Sequence, residues 1–135
     1  MKKDVKQVIV LRKFPNLRKG KYISQACHSV MSIFFQHLQV PPLRRPDENI
    51  YWTLPGLPFF EDYINGSFKK IVVYVETEEE LLDIHQKAKD ANIHCSLIQD
   101  SGLTEFKGIP TYTAVGIGPW DSEEINKITG HLPLF

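Results

Sequence analysis

The sequence lacks any stretch approaching the ~20 consecutive apolar residues of a membrane-spanning helix, and it carries only two cysteines in 135 residues. The first absence removes a helical membrane protein from consideration. The second removes a disulfide framework: Cys27 and Cys95 show neither CxxC spacing nor a secretory context, so each is expected to be a small buried thiol. No HExxH or paired cysteine-histidine spacing occurs, and no metal is expected. A GxSxG nucleophile elbow and a P-loop are also missing. The apolar part of the amino-terminal MKKDVKQVIVLRKF is a six-residue run broken by Arg12 and Lys13, too short for a signal-peptide core, which implies a cytoplasmic protein.

Acidic residues are missing from one long segment. Between Lys6 and Arg45 there is no Asp or Glu, while the same segment carries Arg12, Lys13, Arg18, Lys19, Lys21 and Arg44. The formal net charge is zero, because nearly all carboxylates lie beyond Asp47. Two arrangements satisfy this asymmetry: a basic face on a neutral protein, or a fold that interleaves the two halves.

What remains is globular composition, 42% hydrophobic and 24% charged, and a length suited to one domain that buries about two-thirds of its unfolded surface. KQVIVLR (Lys6 to Arg12) reads as a buried strand, followed by a loop marked by Pro15, Asn16 and Gly20. From Lys21 the period changes. Ile23, Cys27, Val30, Met31, Phe34 and Leu38 share one helical stripe, expected to pack on the sheet, with Lys21, Gln25 and His28 on a separate polar line. Pro41 and Pro42 should end that helix near Val40. The Pro-rich stretch that follows is expected to wrap the surface and pack down through Tyr51, Trp52, Phe59, Phe60 and Tyr63. Its PFFEDYINGS reads as a short helix with Pro58 at the first position. KKIVVYVE is a strand, and TEEELLDIHQKAKDAN a helix opened by the capping pair Thr77 and Glu80. HCSLIQD and TYTAVGIGP are two more strands, and DSEEINKITG a last helix. The order βα(α)βαββα predicts an α/β sandwich with a mixed sheet.

Two places carry chemistry. Adjacent Cys27 and His28 point about 100° apart on a helix and cannot share a proton, so they are not a catalytic pair. Asp100 closes a strand and opens QDSGLT; strand ends are where α/β sites collect, although a DSG triplet also makes an ordinary Asx-type turn. The second place is LRKGKYISQACHSV, where cations crowd the start of a helix. That end is already electropositive, so the pattern reads either as a solvated basic loop or as an anion site with Gly20 letting backbone approach a phosphate.

KGKxxxQxxH in the first helix, KKIVVYVETEEEL, IQDSGLTEF and GIGPWDSEEINKITGHLPLF, in that order, resemble the type 2 peptidyl-tRNA hydrolase family of archaea and eukaryotes. The resemblance implies a three-layer sandwich, a four-stranded mixed sheet with helices on both faces, in a single domain over 1–135. It also implies hydrolysis of the ester between a peptide and tRNA during translation, no cofactor, and a homodimer. Carried over residue by residue, it implies catalytic roles for Lys21, Asp100, Thr104 and Thr113, with Thr111 as the alternative to Thr113 because the preceding KGIP loop is one residue longer. Arg18, Lys19 and Gly20 would meet the tRNA backbone, joined by Arg12, with Gln25 and His28 as further substrate contacts. The helix is bulkier at Tyr22 and Ile23 than the family pattern, and the segment at about 39–57 is expanded. A non-catalytic tRNA- or protein-binding module on the same fold is the rival expectation.

Overall fold

The computed structural model describes residues 3–38 and 56–135. Along these run β1 (Val5–Arg12), α1 (Lys19–His37), α2 (Phe60–Asn65), β2 (Lys70–Val75), α3 (Glu78–Asp90), β3 (Cys95–Asp100), β4 (Thr111–Asp121) and α4 (Ser122–Thr129). The strands form a mixed sheet in the order β2-β1-β4-β3, with β1 parallel to β2 and antiparallel to β4, and β3 antiparallel to β4. The expanded segment at about 39–57, with Tyr51 and Trp52, lies almost wholly outside the described residues.

The alternation of β1 explains the layers. Val8 and Val10 join Leu81, Ile84 and Ala88 of α3 and Ile125 and Ile128 of α4 in one core. Ile9 and Leu11 point the other way, where they meet Tyr22 of α1 and Ala114 of β4. Both faces of the strand are therefore apolar, as a central strand covered on both sides requires. Fully burying one such aliphatic side chain stabilises by roughly 1.5–3 kcal/mol. The Thr77 cap forms, with its hydroxyl accepting from the Glu80 N–H at 3.1 Å.

Four expectations are corrected. The buried face of α1 is Tyr22, Gln25, Ser29 and Ile33, whereas Ile23 is 65% exposed and Met31 46% exposed. One residue of offset rotates a helix by about 100°, and the reason for this rotation is close packing. A Cβ on Gly116 of β4 would lie 2.5 Å from the Ser29 carbonyl oxygen, so small residues must face the sheet there. Cys27 is consequently exposed rather than buried. The helix stops at His37, with Leu38 as its C-cap, short of Val40. In α2 the cap is Phe59, in left-handed conformation, so Pro58 sits before the helix rather than at its first position.

The cations of the first half meet acids of the second: Arg12 with Glu78, Arg18 with Glu105 and Lys21 with Asp100. Interleaving, not a segregated basic face, is what these pairs exhibit.

Candidate active site

Three elements, α1, β3 and β4, and a loop bring the polar residues together. On α1, Lys21 and Gln25 are one turn apart and face the end of β3. Lys21 Nζ donates to Asp100 Oδ1 at 2.8 Å and to Thr104 Oγ1 at 2.8 Å. Gln25 Nε2 donates to the same Asp100 oxygen at 3.1 Å, and its Oε1 accepts from Thr113 Oγ1 at 2.6 Å. Burial of Gln25 and Thr113, 1% and 2% exposed, is tolerable because each polar group has its partner.

The strand irregularity that aims Thr113 lies in the register. Between Ile98 and Gln99 β3 advances one residue while β4 moves from Ala114 to Tyr112, leaving Thr113 as the extra residue of a bulge. Bulges re-aim side chains in this way. Thr111, by contrast, turns its hydroxyl to the Ile109 carbonyl at 2.8 Å, so of the two threonines Thr113 is the one in the cluster. Its hydroxyl proton is committed to Gln25, which places it behind the glutamine as support.

The loop after Asp100 is locked by Gly102. Its φ is +82° and an added Cβ would fall 2.3 Å from the Ile109 carbonyl oxygen; only glycine meets both conditions. This conformation turns the Gly102 N–H back to Asp100 Oδ2 at 2.8 Å. Burial pushes the Asp100 carboxyl upward, but the Lys21 hydrogen bond, the Gly102 N–H, the Lys21 charge and Gln25 together outweigh it and hold the acid below its ordinary value. Asp100 is therefore a carboxylate at neutral pH. Its oxygens offer about four acceptor directions and three are filled; the ammonium has three N–H groups and two are engaged. One acceptor position, on Oδ2, and one ammonium N–H are left.

The remaining sequence-derived residues spread outward. His28 lies one turn beyond Gln25, its Nε2 3.4 Å from Ser24 Oγ. Arg18 is paired with Glu105 at 2.6 Å, Lys19 flanks the opposite side of α1 near Tyr22 and Phe135, and Gly20 has open space about its Cα. Arg12 is turned inward, 3.3 Å from the Tyr112 carbonyl, and is not part of the exposed basic start of α1. Two neighbours were missed from sequence: Glu105, and Phe106, whose ring lies 5.7 Å from Lys21 Nζ and packs on Phe14. Both sit inside IQDSGLTEF, so their adjacency to Thr104 was the available signal. Among the described residues no three His, Cys, Asp or Glu side chains converge as a metal site, and no helix is long and apolar enough to cross a membrane.

An α/β sandwich with a lysine-carboxylate pair at a strand end is the class this geometry defines. The family model for "Peptidyl-tRNA hydrolase PTH2" matches residues 5–135, and the chain belongs to that family. The chain is 38% identical over 130 residues to the peptidyl-tRNA hydrolase of Methanocaldococcus jannaschii, covering 96% of this chain and 99% of the relative. The enzymes of that name from Methanothermobacter thermautotrophicus and Thermococcus sibiricus are each 36% identical, covering 96% of this chain and 99% and 96% of their own lengths. A solved structure of a protein of unknown function from Agrobacterium tumefaciens strain C58 shares the fold, with a TM-score of 0.59 at 18% identity and 98% coverage of both chains.

Proposed function

We propose that this chain hydrolyses the ester bond of peptidyl-tRNA, releasing the peptide and free tRNA. The observation that carries this reading is the Lys21–Asp100 pair, 2.8 Å apart at the end of β3, with an acceptor position to spare on Asp100 Oδ2 and an N–H to spare on Lys21. Ester hydrolysis asks for both: an acceptor to orient the attacking water, and a donor for the oxyanion that forms on the carbonyl oxygen. Asp100 Oδ2 supplies the first. Because its pKa is held low, Asp100 acts mainly by orienting and polarising the water; as the water oxygen bonds to the carbonyl carbon and the bond to the ribose 3′ oxygen breaks, the water's proton passes by way of the carboxylate to that 3′ oxygen, which leaves as a hydroxyl. Lys21 supplies the donor, stabilising the oxyanion or an adjacent phosphate. Thr104, which accepts from Lys21, has its own O–H free to reach the ester or the ribose leaving group. Gln25 and Thr113 hold Asp100 in place.

The start of α1 serves the nucleic acid in this reading. Arg18 caps it without a side-chain hydrogen bond and no acid occupies the first turn, so the N–H groups and Lys19 and Gly20 suit backbone phosphates. His28 lies further along the helix, on the side of Lys21 rather than of Lys19, where it lines the groove over Leu97, Ile98 and Gln99. The setting is translation in the cytoplasm.

For assembly, a homodimer is the reading the surface favours. A groove of about 470 Å³ bounded by Tyr22, Ile23, Cys27, Val72 and Phe135 continues into a second over Ile9, Val30 and Met31, an apolar band that a second copy would cover. Sedimentation would give a mass of two chains, and a single-chain mass would contradict it.

The test of activity is hydrolysis of peptidyl-tRNA at low salt by the wild type and by Lys21→Ala. Wild-type turnover, with rate and tRNA affinity both reduced in the variant, is the expected result. A wild type that binds tRNA without turnover would point to the non-catalytic module instead.

A further inference from the structure

The two edges of the sheet are treated differently. Along β2 the carboxy-terminal tail pairs with the strand: Tyr74 N–H donates to the Pro133 carbonyl at 3.1 Å and Phe135 N–H to that of Val72 at 3.0 Å. Along β3, among the described residues, no backbone occupies the outer side. A groove of about 600 Å³ lies there instead, between Leu97, Ile98 and Gln99 on the strand and His28, Phe35 and Gln36 on α1. Leu97 and Ile98 belong to the cores on opposite faces of the sheet. Consecutive residues can line one groove only where it runs along the strand edge, with the main chain accessible.

We infer that this groove binds the peptide half of the substrate by adding it as a strand to β3. The inference rests on the hydrolase reading above. Three observations support the assignment. The groove starts at Gln99, the residue before Asp100 in β3, so its near end adjoins the strand end that carries the reacting centre. Its walls carry no Lys or Arg, which disfavours phosphates there; the cations lie at the other end, at the start of α1. Along its length α1 is tied to β3, Ser32 at mid-groove and Gln36 at the far end both being hydrogen-bonded to Ser96 Oγ. Main-chain pairing is also the recognition mode that reads no side chains, which suits a substrate whose peptide can have any sequence.

Direction and length follow. The ester carbonyl is the peptide's carboxy-terminal end and must lie at Asp100, the last residue of β3. The peptide therefore runs parallel to the strand, its amino-terminal end toward Ser96. From His28 to Gln36 the helix rises about 12 Å, which accommodates about three to four extended residues at ~3.3 Å each.

The test uses one tRNA charged with N-acetylated alanine peptides of one to about five residues, and a matched series with N-methylated amides. In the wild type kcat/KM should rise roughly two- to tenfold per residue that gains a main-chain hydrogen bond and level off after about three to four. N-methylation should abolish the rise. In Gln36→Trp, which fills the far end, the ratio of kcat/KM for the longest to the shortest substrate should fall toward one. Rates independent of length, or a rise that survives N-methylation, would overturn the inference while leaving the hydrolase intact. Failure to cleave any of these esters would overturn the hydrolase reading, and the inference with it.

Discussion

Replacing Gln25 with Met tests whether the site is held together from behind. The side chain is 1% exposed and links Asp100 to Thr113 through bonds of 3.1 and 2.6 Å. Methionine matches its length and flexibility, so little cavity is created. Two hydrogen bonds are lost, each contributing about 0.5–1.5 kcal/mol net, and the Thr113 hydroxyl is left buried without its acceptor, a penalty of about 1–3 kcal/mol. Since these overlap, a loss of about 2–4 kcal/mol is expected in urea denaturation, with unchanged m-value. The pH dependence gives a second reading. A depressed carboxyl pKa contributes stability that is present above the ordinary value of 3.8 and is lost as pH falls through the folded value. Gln25 is one of the groups depressing it, so the variant should lose less stability on acidification than the wild type. Hydrolysis should slow as well, because Asp100 keeps its charge but not its aim. Wild-type stability, acid response and rate in Gln25→Met would refute the proposed support.

Gly116→Ala brings a methyl to 2.5 Å from the Ser29 carbonyl; neither backbone can swing aside, and a loss of roughly 1–3 kcal/mol or more by thermal or urea unfolding is expected. An unperturbed melting temperature would contradict the close approach of α1 to β4. Glu105→Gln releases Arg18 from its ion pair, so tRNA affinity should rise at low salt and the log-log salt slope steepen by roughly 0.7–0.9 if the freed guanidinium meets a phosphate. An unchanged slope would remove Arg18 from the tRNA contact.

The layered fold was readable because its signals are local. Strand alternation in KQVIVLR and the Thr77–Glu80 cap each depend on residues a few positions apart. The phase of α1 was not readable for the opposite reason. Its buried face includes Gln25 and Ser29, and what makes them buriable lies far along the chain: Asp100 is 75 residues and Thr113 88 residues from Gln25, and Gly116 clears space for Ser29. An apolar count therefore selected Ile23 and Met31, which are exposed. Asp100 stood out as an acid at a strand end and Lys21, Gln25 and His28 as a polar line on a helix, but only motif resemblance joined the two places into one site and added Thr113, because neither segment signals the other across the intervening chain. The order of the site residues was hidden by the bulge at Thr113, and the Arg18–Glu105 pair by its long separation in sequence.

The central claim is that Asp100 acts on the ester rather than merely shaping a turn. Asp100→Asn preserves the size of the side chain and an oxygen to accept from Gly102 or Lys21, while removing the charge. Single-turnover hydrolysis of peptidyl-tRNA, measured on protein whose tRNA affinity and melting temperature are determined in parallel, separates the two roles. The account predicts a rate lower by roughly 10² to 10⁴, with tRNA binding retained. Hydrolysis at the wild-type rate by folded Asp100→Asn would contradict it.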